Sequence, residues 1–225
     1  MNAAFILSRL DSTRLPNKAL MKLGQNALIE QCIIQASKSE CFEPILLTSD
    51  RIIDDPLIDV AKKMSIKYYR GSVDNVYERV CGAIQLYDIQ YFVRTNGDSP
   101  FIRTELYDEC LNILIENDLD FVTNLHPRTF PYGIAIEIFD AKIFCQTSII
   151  SKNDSYKEHI TSYFYDNIDR YRYMNFYNDD YIKGMETIRL TVDDIQDLEK
   201  LNAVFEKYPN IINEPISKII KYIKK

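Results

Sequence analysis

Short apolar or aromatic runs recur along the first 123 residues of this chain, and each gap between them carries residues in helical period. The runs lie at 3–7, 45–48, 67–69, 91–94 and 120–123, all of strand length. In the stretch 26–38, Leu28, Ile29, Cys32, Ile33 and Ala36 fall on one helical face. The stretch 55–63 opens behind Asp54 and Asp55 with Pro56, acidic residues and a first-turn proline that suit a helix N-terminus. The stretches 74–86 and 104–116 repeat the amphipathic period. Regular alternation of strand and helix requires right-handed crossovers and a parallel sheet covered on both faces. The sequence therefore predicts an α/β fold with a doubly wound, mostly parallel sheet.

After residue 124 the rhythm changes. Two prolines and a glycine make 125–133 a loop, and 134–139 alternates like a strand. The tract 156–181 holds Tyr156, Tyr163, Tyr165, Tyr171, Tyr173, Tyr177 and Tyr181, a composition that suits a packed or dimerising surface. A last strand is expected at 187–192. It leads into a helix over 194–207 whose apolar positions are Ile195, Leu198, Leu201 and Phe205, and a basic amphipathic helix over 214–225 covers the core.

At 225 residues the chain suits one domain. Its formal net charge of −6 argues against a nucleic-acid groove. Cys32, Cys41, Cys81, Cys110 and Cys145 are odd in number and widely spread, without a CxxC pair, so neither zinc nor a disulfide framework is expected. Most are expected to be buried reduced thiols instead. No apolar stretch approaches the roughly 20 residues that span a membrane. The N-terminus lacks the basic leader of a secretory signal, and a cytoplasmic protein is expected.

Three segments carry candidate chemistry. Arg9, Arg14 and Lys18 follow the first strand within ten residues. In open α/β sheets ligands sit beyond the carboxyl ends of the strands, so these cations are placed for a polyphosphate; a solvated loop is the alternative. Neither GxGxxG nor GxxxxGK[ST] is present. Asn96-Gly97-Asp98-Ser99-Pro100 follows the strand 91–94. There Asp98 either holds Mg²⁺ or caps the next helix. Asp193 follows 187–192, where it either caps a helix or completes a metal site with Asp98.

The order of these segments resembles a known family. The motifs are Ser8 to Lys18 (SRLDSTRLPNK), Thr48-Ser49-Asp50, Arg70-Gly71-Ser72 with Val76 and Arg79, and Asn96 to Pro100. Arg128 to Pro131 with Gly133, Glu158-His159-Ile160-Thr161, and Thr191-Val192-Asp193 with Asp197-Leu198-Glu199 follow in the same order. Together they resemble the cytidylyltransferases of surface-polysaccharide biosynthesis, in particular the spore-coat polysaccharide cytidylyltransferase-like branch. That branch is related to the enzymes that make CMP-3-deoxy-manno-octulosonate and CMP-sialic acid.

The resemblance implies a Rossmann-like fold in one domain over 1–225, with 125–185 as a sugar-side and dimerisation extension of a homodimer. It implies CTP, an acidic sugar of the ulosonic type, and Mg²⁺. Ser8, Arg9, Arg14, Lys18, Thr48, Asp50 and Asn96 would bind the nucleotide, and Asp98 and Asp193 the metal. Arg128, Gly133, Glu137, Glu158 and His159 would line the sugar side. Arg9, Lys18 and Asp98 would be catalytic, with His159 either a general base or a buried structural histidine.

The chain departs from the family at three places. Asp11 replaces a small residue, Asn17 a glycine, and Ala135 an aspartate. A carboxylate at 11 would repel phosphate unless turned away, since unit charges about 4 Å apart interact by about 4 kcal/mol at an effective dielectric near ~20. Rival readings are a sugar-phosphate nucleotidylyltransferase, a non-catalytic nucleotide-binding partner, and an interaction module built on the tyrosine tract.

Overall fold

The computed structural model describes residues 1–147 and 149–224. Seven strands form the main sheet: β1 (Asn2–Leu7), β2 (Glu43–Ser49), β3 (Lys67–Gly71), β4 (Tyr91–Asn96), β5 (Phe121–Thr123), β6 (Glu137–Asp140) and β7 (Tyr173–Asn175). Their order is β3-β2-β1-β4-β6-β5-β7. The pairs β1–β2, β1–β4, β2–β3 and β5–β7 are parallel, and β6 runs antiparallel to both its neighbours. This is the doubly wound, mostly parallel sheet that the alternation demanded.

Helices α1 (Leu28–Ala36), α2 (Asp55–Lys63), α3 (Val76–Tyr87) and α4 (Thr104–Glu116) follow in the gaps between the first five strands. Helix α1 starts two residues later than its periodicity suggests. Asn26–Ala27 instead pairs with Lys22–Leu23 in a small hairpin, and Glu30 accepts from the Ala27 backbone N–H at 2.8 Å. The pleat of β1 sends Ala3 and Phe5 to one face and Ala4 and Ile6 to the other. The first face packs against α3 and a group of phenylalanines, the second against α1 and α4.

A third core gathers Leu15, Phe101, Phe130, Leu190 and Val192 beneath α5 (Ile195–Lys207) and α6 (Ile216–Ile223). It clamps the loop after β1 to the C-terminal third of the chain. The expected strand at 187–192 does not form. Met185–Thr187 is a 3-10 turn, and the extended chain beyond it makes one bridge, between Arg189 and Tyr132. Both edges of β1 and β4 are already occupied, so Ile188, Leu190 and Val192 serve the third core instead of a ladder. The alternation at 134–139 becomes a strand only from Glu137. Asn124 holds the earlier part, donating to the Ile134 carbonyl at 3.0 Å and accepting from the Ile136 N–H at 2.9 Å.

The tyrosine tract is largely packing. Tyr163 is buried, and Tyr156, Tyr165, Tyr171 and Tyr173 lie against the phenylalanine cluster. Tyr177 and Tyr181 are exposed. Cys32 and Cys110 are buried, whereas Cys41, Cys81 and Cys145 are half-buried, short of the full burial expected; all five are free thiols. No helix among the described residues is long and apolar enough to cross a membrane.

Candidate active site

The strand order reverses between β1 and β4, and a crevice opens beyond their carboxyl ends. A cleft of about 450 Å³ occupies it. The two strands approach closely there, and only glycine fits at 97. The Gly97 N–H donates to the Leu7 carbonyl at 2.8 Å, and a Cβ would meet Ser8 and Ile29 at 2.8 Å each.

The cationic loop is fixed at several points. Leu10, Leu15 and Ala19 are buried, the Leu10 N–H donates to Asp54 at 2.7 Å, and the Asn17 N–H donates to the Leu10 carbonyl at 2.9 Å. Asn17 has φ 58°, the left-handed region that glycine and asparagine adopt most readily. The departure from glycine therefore keeps the backbone. Asp11 is turned toward Arg51, whose Nη1 lies 2.7 Å from its carboxylate, while Arg9 Nε lies at 3.7 Å. The hydrogen bond from Arg51 holds the Asp11 carboxyl below its usual range. Its negative charge is thus compensated, and Arg51 also binds buried Asp54 at 3.2 Å.

Lys18 stands between the two acidic candidates. Its Nζ lies 2.7 Å from Asp98 Oδ2, 3.7 Å from Asp193 Oδ1 and 2.9 Å from the Val192 carbonyl. The Val192 N–H in turn donates to the Asp98 carbonyl at 2.9 Å, tying the two segments by backbone. Asp194 caps α5 by accepting from the Asp197 N–H at 2.9 Å, which leaves Asp193 free for the cleft. Arg14 donates to Asp193 at 2.7 Å, Thr191 at 3.2 Å, and Arg189 closes on its other oxygen. Burial pushes the Asp193 carboxyl up, but Lys18 and Arg14 outweigh it and the net shift is downward. Among the described residues no group of three or more acidic, histidine or cysteine side chains forms a closed metal cage. Two carboxylates sharing one cation nevertheless fit Mg²⁺, which takes one or two carboxylates and completes its shell with water and phosphate.

The cleft gathers Ser8, Arg9, Arg14, Lys18, Asn96 and Asp98, joined by Asp193, Glu158 and His159. Arg9 donates to the Val73 carbonyl at 3.2 Å and pairs with Glu158 at 3.1 Å. His159 is exposed at the rim, so the buried structural alternative is set aside.

Five predicted residues lie outside the lining. Thr48 is buried in β2, and Asp50 is exposed beyond its end. Glu137 is buried under Arg94 at 2.7 Å and the Tyr165 hydroxyl at 2.9 Å. Gly133 has φ +107°, and a Cβ there would meet the Leu190 carbonyl carbon at 3.1 Å, so packing alone accounts for it. Arg128 stacks on the Tyr132 ring at 4.8 Å, with Arg189 over the same ring at 5.0 Å.

Sequence reasoning gave no role to Arg79 or Arg94, which line the cleft, nor to Arg51 and Arg189, which hold Asp11 and Asp193. Two signals were available for Arg79, its place in the motif Arg70-Gly71-Ser72 with Val76 and Arg79 and a cation at an inward position of the helical stretch 74–86.

Comparison with known proteins gives the family and the fold. The sequence model of the Cytidylyltransferase family matches residues 3–220. The spore coat polysaccharide biosynthesis protein SpsF of Bacillus subtilis is 29% identical over 208 residues, 90% of this chain and 85% of SpsF. The structure of a cytidylyltransferase from Leptospira borgpetersenii superposes with a TM-score of 0.91 at 28% identity, covering 99% of this chain and 93% of that one. The structure of CMP:2-keto-3-deoxy-manno-octonic acid synthetase complexed with CTP shares the fold, with a TM-score of 0.68 at 15% identity over 92% of this chain and 98% of that one. Sheet order, loop and paired carboxylates thus stand on a chain that belongs to the cytidylyltransferase family.

Proposed function

We propose that this protein transfers CMP from CTP to an acidic sugar of the ulosonic type, with Mg²⁺, and releases pyrophosphate for surface-polysaccharide synthesis. The observation that carries the reading is the Lys18 ammonium held between Asp98 and Asp193 at the switch point of the sheet. Arg9, Arg14 and Lys18 bind the triphosphate. Asp98 and Asp193 would hold Mg²⁺, which when bound supplies positive charge to the phosphate oxygens. A hydroxyl oxygen of the sugar bonds to the α-phosphorus, the bond to the bridging oxygen breaks, and pyrophosphate leaves with the electron pair. The hydroxyl proton passes to a base on the acceptor side, where Glu158 and His159 lie. The protein's share is positioning and neutralisation of a spread-out anion.

Arg51 supports turnover over the non-catalytic reading, because it compensates the charge of Asp11. An anionic acceptor is supported by Arg128, whose Nη1 is buried without a hydrogen-bond partner among the described residues. The Tyr132 ring links Arg128 to Arg189, itself a partner of Asp193. A sugar 1-phosphate would suit the same arginine, and competition between it and a free ulosonic acid separates the two. The exposed Met174, Tyr177, Tyr181 and Ile182 are the apolar side chains of this region that a homodimer would cover. The function is tested by pyrophosphate release with Mg²⁺, each of the four nucleoside triphosphates and a panel of acidic sugars. Release confined to CTP with an ulosonic acid is expected; release with a sugar 1-phosphate alone would overturn the acceptor class.

A further inference from the structure

Arg79 stands where a charged side chain is strongly unfavourable. It projects from α3, whose Val76, Val80 and Ala83 are core residues, and it is itself 2% exposed. Its Nε and Nη2 both donate to one acceptor, the Ser72 carbonyl, at 3.1 and 2.6 Å. No carboxylate among the described residues pairs with it. Asp54 and Asp50 act on it only through space, Arg9 and Arg51 oppose them, and burial with Arg9 lowers its pKa to about 10. Buried charges are ordinarily paired, so a guanidinium left with spare donors in a cleft wall points to an acceptor carried by the ligand.

The position of Arg79 says which part of the ligand. Of the three cations assigned to the phosphates, Arg14 and Lys18 lie with the two aspartates on the β4 side of the cleft, and Arg9 reaches across to the Val73 carbonyl, next to the Ser72 carbonyl that Arg79 holds. Arg79 lines the same cleft from the helix after β3, with Leu7 and Val76 as apolar neighbours in the wall. With the phosphates at Lys18, the Arg79 end of the cleft is the part left for the base in this reading. A guanidinium offers donors only, in a fixed fork. Cytosine presents two adjacent acceptors, O2 and N3, whereas N3 of uracil carries a hydrogen that would oppose a donor.

Building on the CTP reading above, we propose that Arg79 is the base-reading residue, donating to the O2/N3 edge of cytosine. The Ser72 carbonyl fixes the fork in advance of binding. Arg79 therefore sets nucleotide choice and leaves phosphate binding to the loop.

The test is calorimetric binding of CTP, UTP and inorganic tripolyphosphate to the full chain, as wild type, Arg79→Gln and Arg79→Lys, with folding checked by circular dichroism. The wild type is expected to prefer CTP over UTP. Both variants are expected to lose about tenfold or more of that preference, since a site built to donate discriminates by its hydrogen bonds. Tripolyphosphate is expected to bind all three alike. The lysine variant keeps the charge and provides the readout if the glutamine variant does not fold. A preference retained in a folded variant would overturn the assignment. Parallel loss of tripolyphosphate binding would overturn it too, making Arg79 a phosphate contact. A wild type that binds tripolyphosphate but not CTP would overturn the nucleotide reading as well.

Discussion

Lys18 Nζ lies 2.7 Å from Asp98 and 3.7 Å from Asp193, so one ammonium bridges carboxylates 95 positions apart in the chain. The bridge joins the end of β4 to the start of α5 across the crevice and keeps two negative charges together in the proposed phosphate site. Replacing Lys18 by methionine leaves those charges facing each other and removes a contact to the triphosphate. Turnover of Lys18→Met is expected to fall about a hundredfold or more, the scale of losing one preorganised charge contact. Steady-state pyrophosphate release measures it, and a fall of less than fivefold would show that Arg9 and Arg14 suffice.

Arg51 is expected to act through Asp11. In Arg51→Gln the Asp11 carboxylate keeps only the 3.7 Å contact with Arg9, which it draws away from phosphate, so CTP binding weakens; Asp11→Asn alone changes it little. The double variant should recover binding, with a coupling of about 0.5–3 kcal/mol. Arg51→Gln should also lower stability by about 1–3 kcal/mol, because buried Asp54 loses a donor. Additive effects on CTP binding would contradict the pairing.

The depressed pKa of Asp193 sets an acid limb of stability. A carboxyl whose folded pKa lies below its unfolded value near 3.8 contributes stability that is complete above that value. The contribution is lost as pH falls from there through the folded pKa. Urea midpoints of wild type and Asp193→Asn should therefore differ by a constant amount from pH 5 to 7 and converge as pH drops below about 3.8. A difference that grows on acidification would contradict the sign.

At position 17 the backbone, not the side chain, is expected to matter. Asn17→Gly should be neutral within about 0.5 kcal/mol, whereas Asn17→Ala should cost about 1–2 kcal/mol through its left-handed φ. Chemical denaturation of the two variants distinguishes them, and equal stability would contradict the strain.

The legible parts of this fold were its first 123 residues and the two closing helices α5 and α6, where local period is enough. Strand and helix lengths there are written in consecutive residues, and the parallel sheet follows from their alternation. The apolar alternation of Ile188, Leu190 and Val192 has strand form, yet whether it joins a sheet depends on β2 and β6 already flanking β1 and β4. No local signal carries that. The site divides the same way. Arg9, Arg14, Lys18 and Asp98 sit just past strand ends, where topology puts ligands. The partners of the carboxylates beside them, Arg51 for Asp11 and Arg189 for Asp193, come from a bend and an extended segment whose approach only tertiary packing decides.

The reaction centre is tested most directly by the turnover of Asp98→Asn and Asp193→Asn with CTP, Mg²⁺ and the accepted sugar. Both variants should stay folded, with the wild-type circular dichroism, and lose about a hundredfold or more in kcat. Folded variants that turn over within a fewfold of wild type would place the chemistry away from the carboxylate pair that Lys18 bridges.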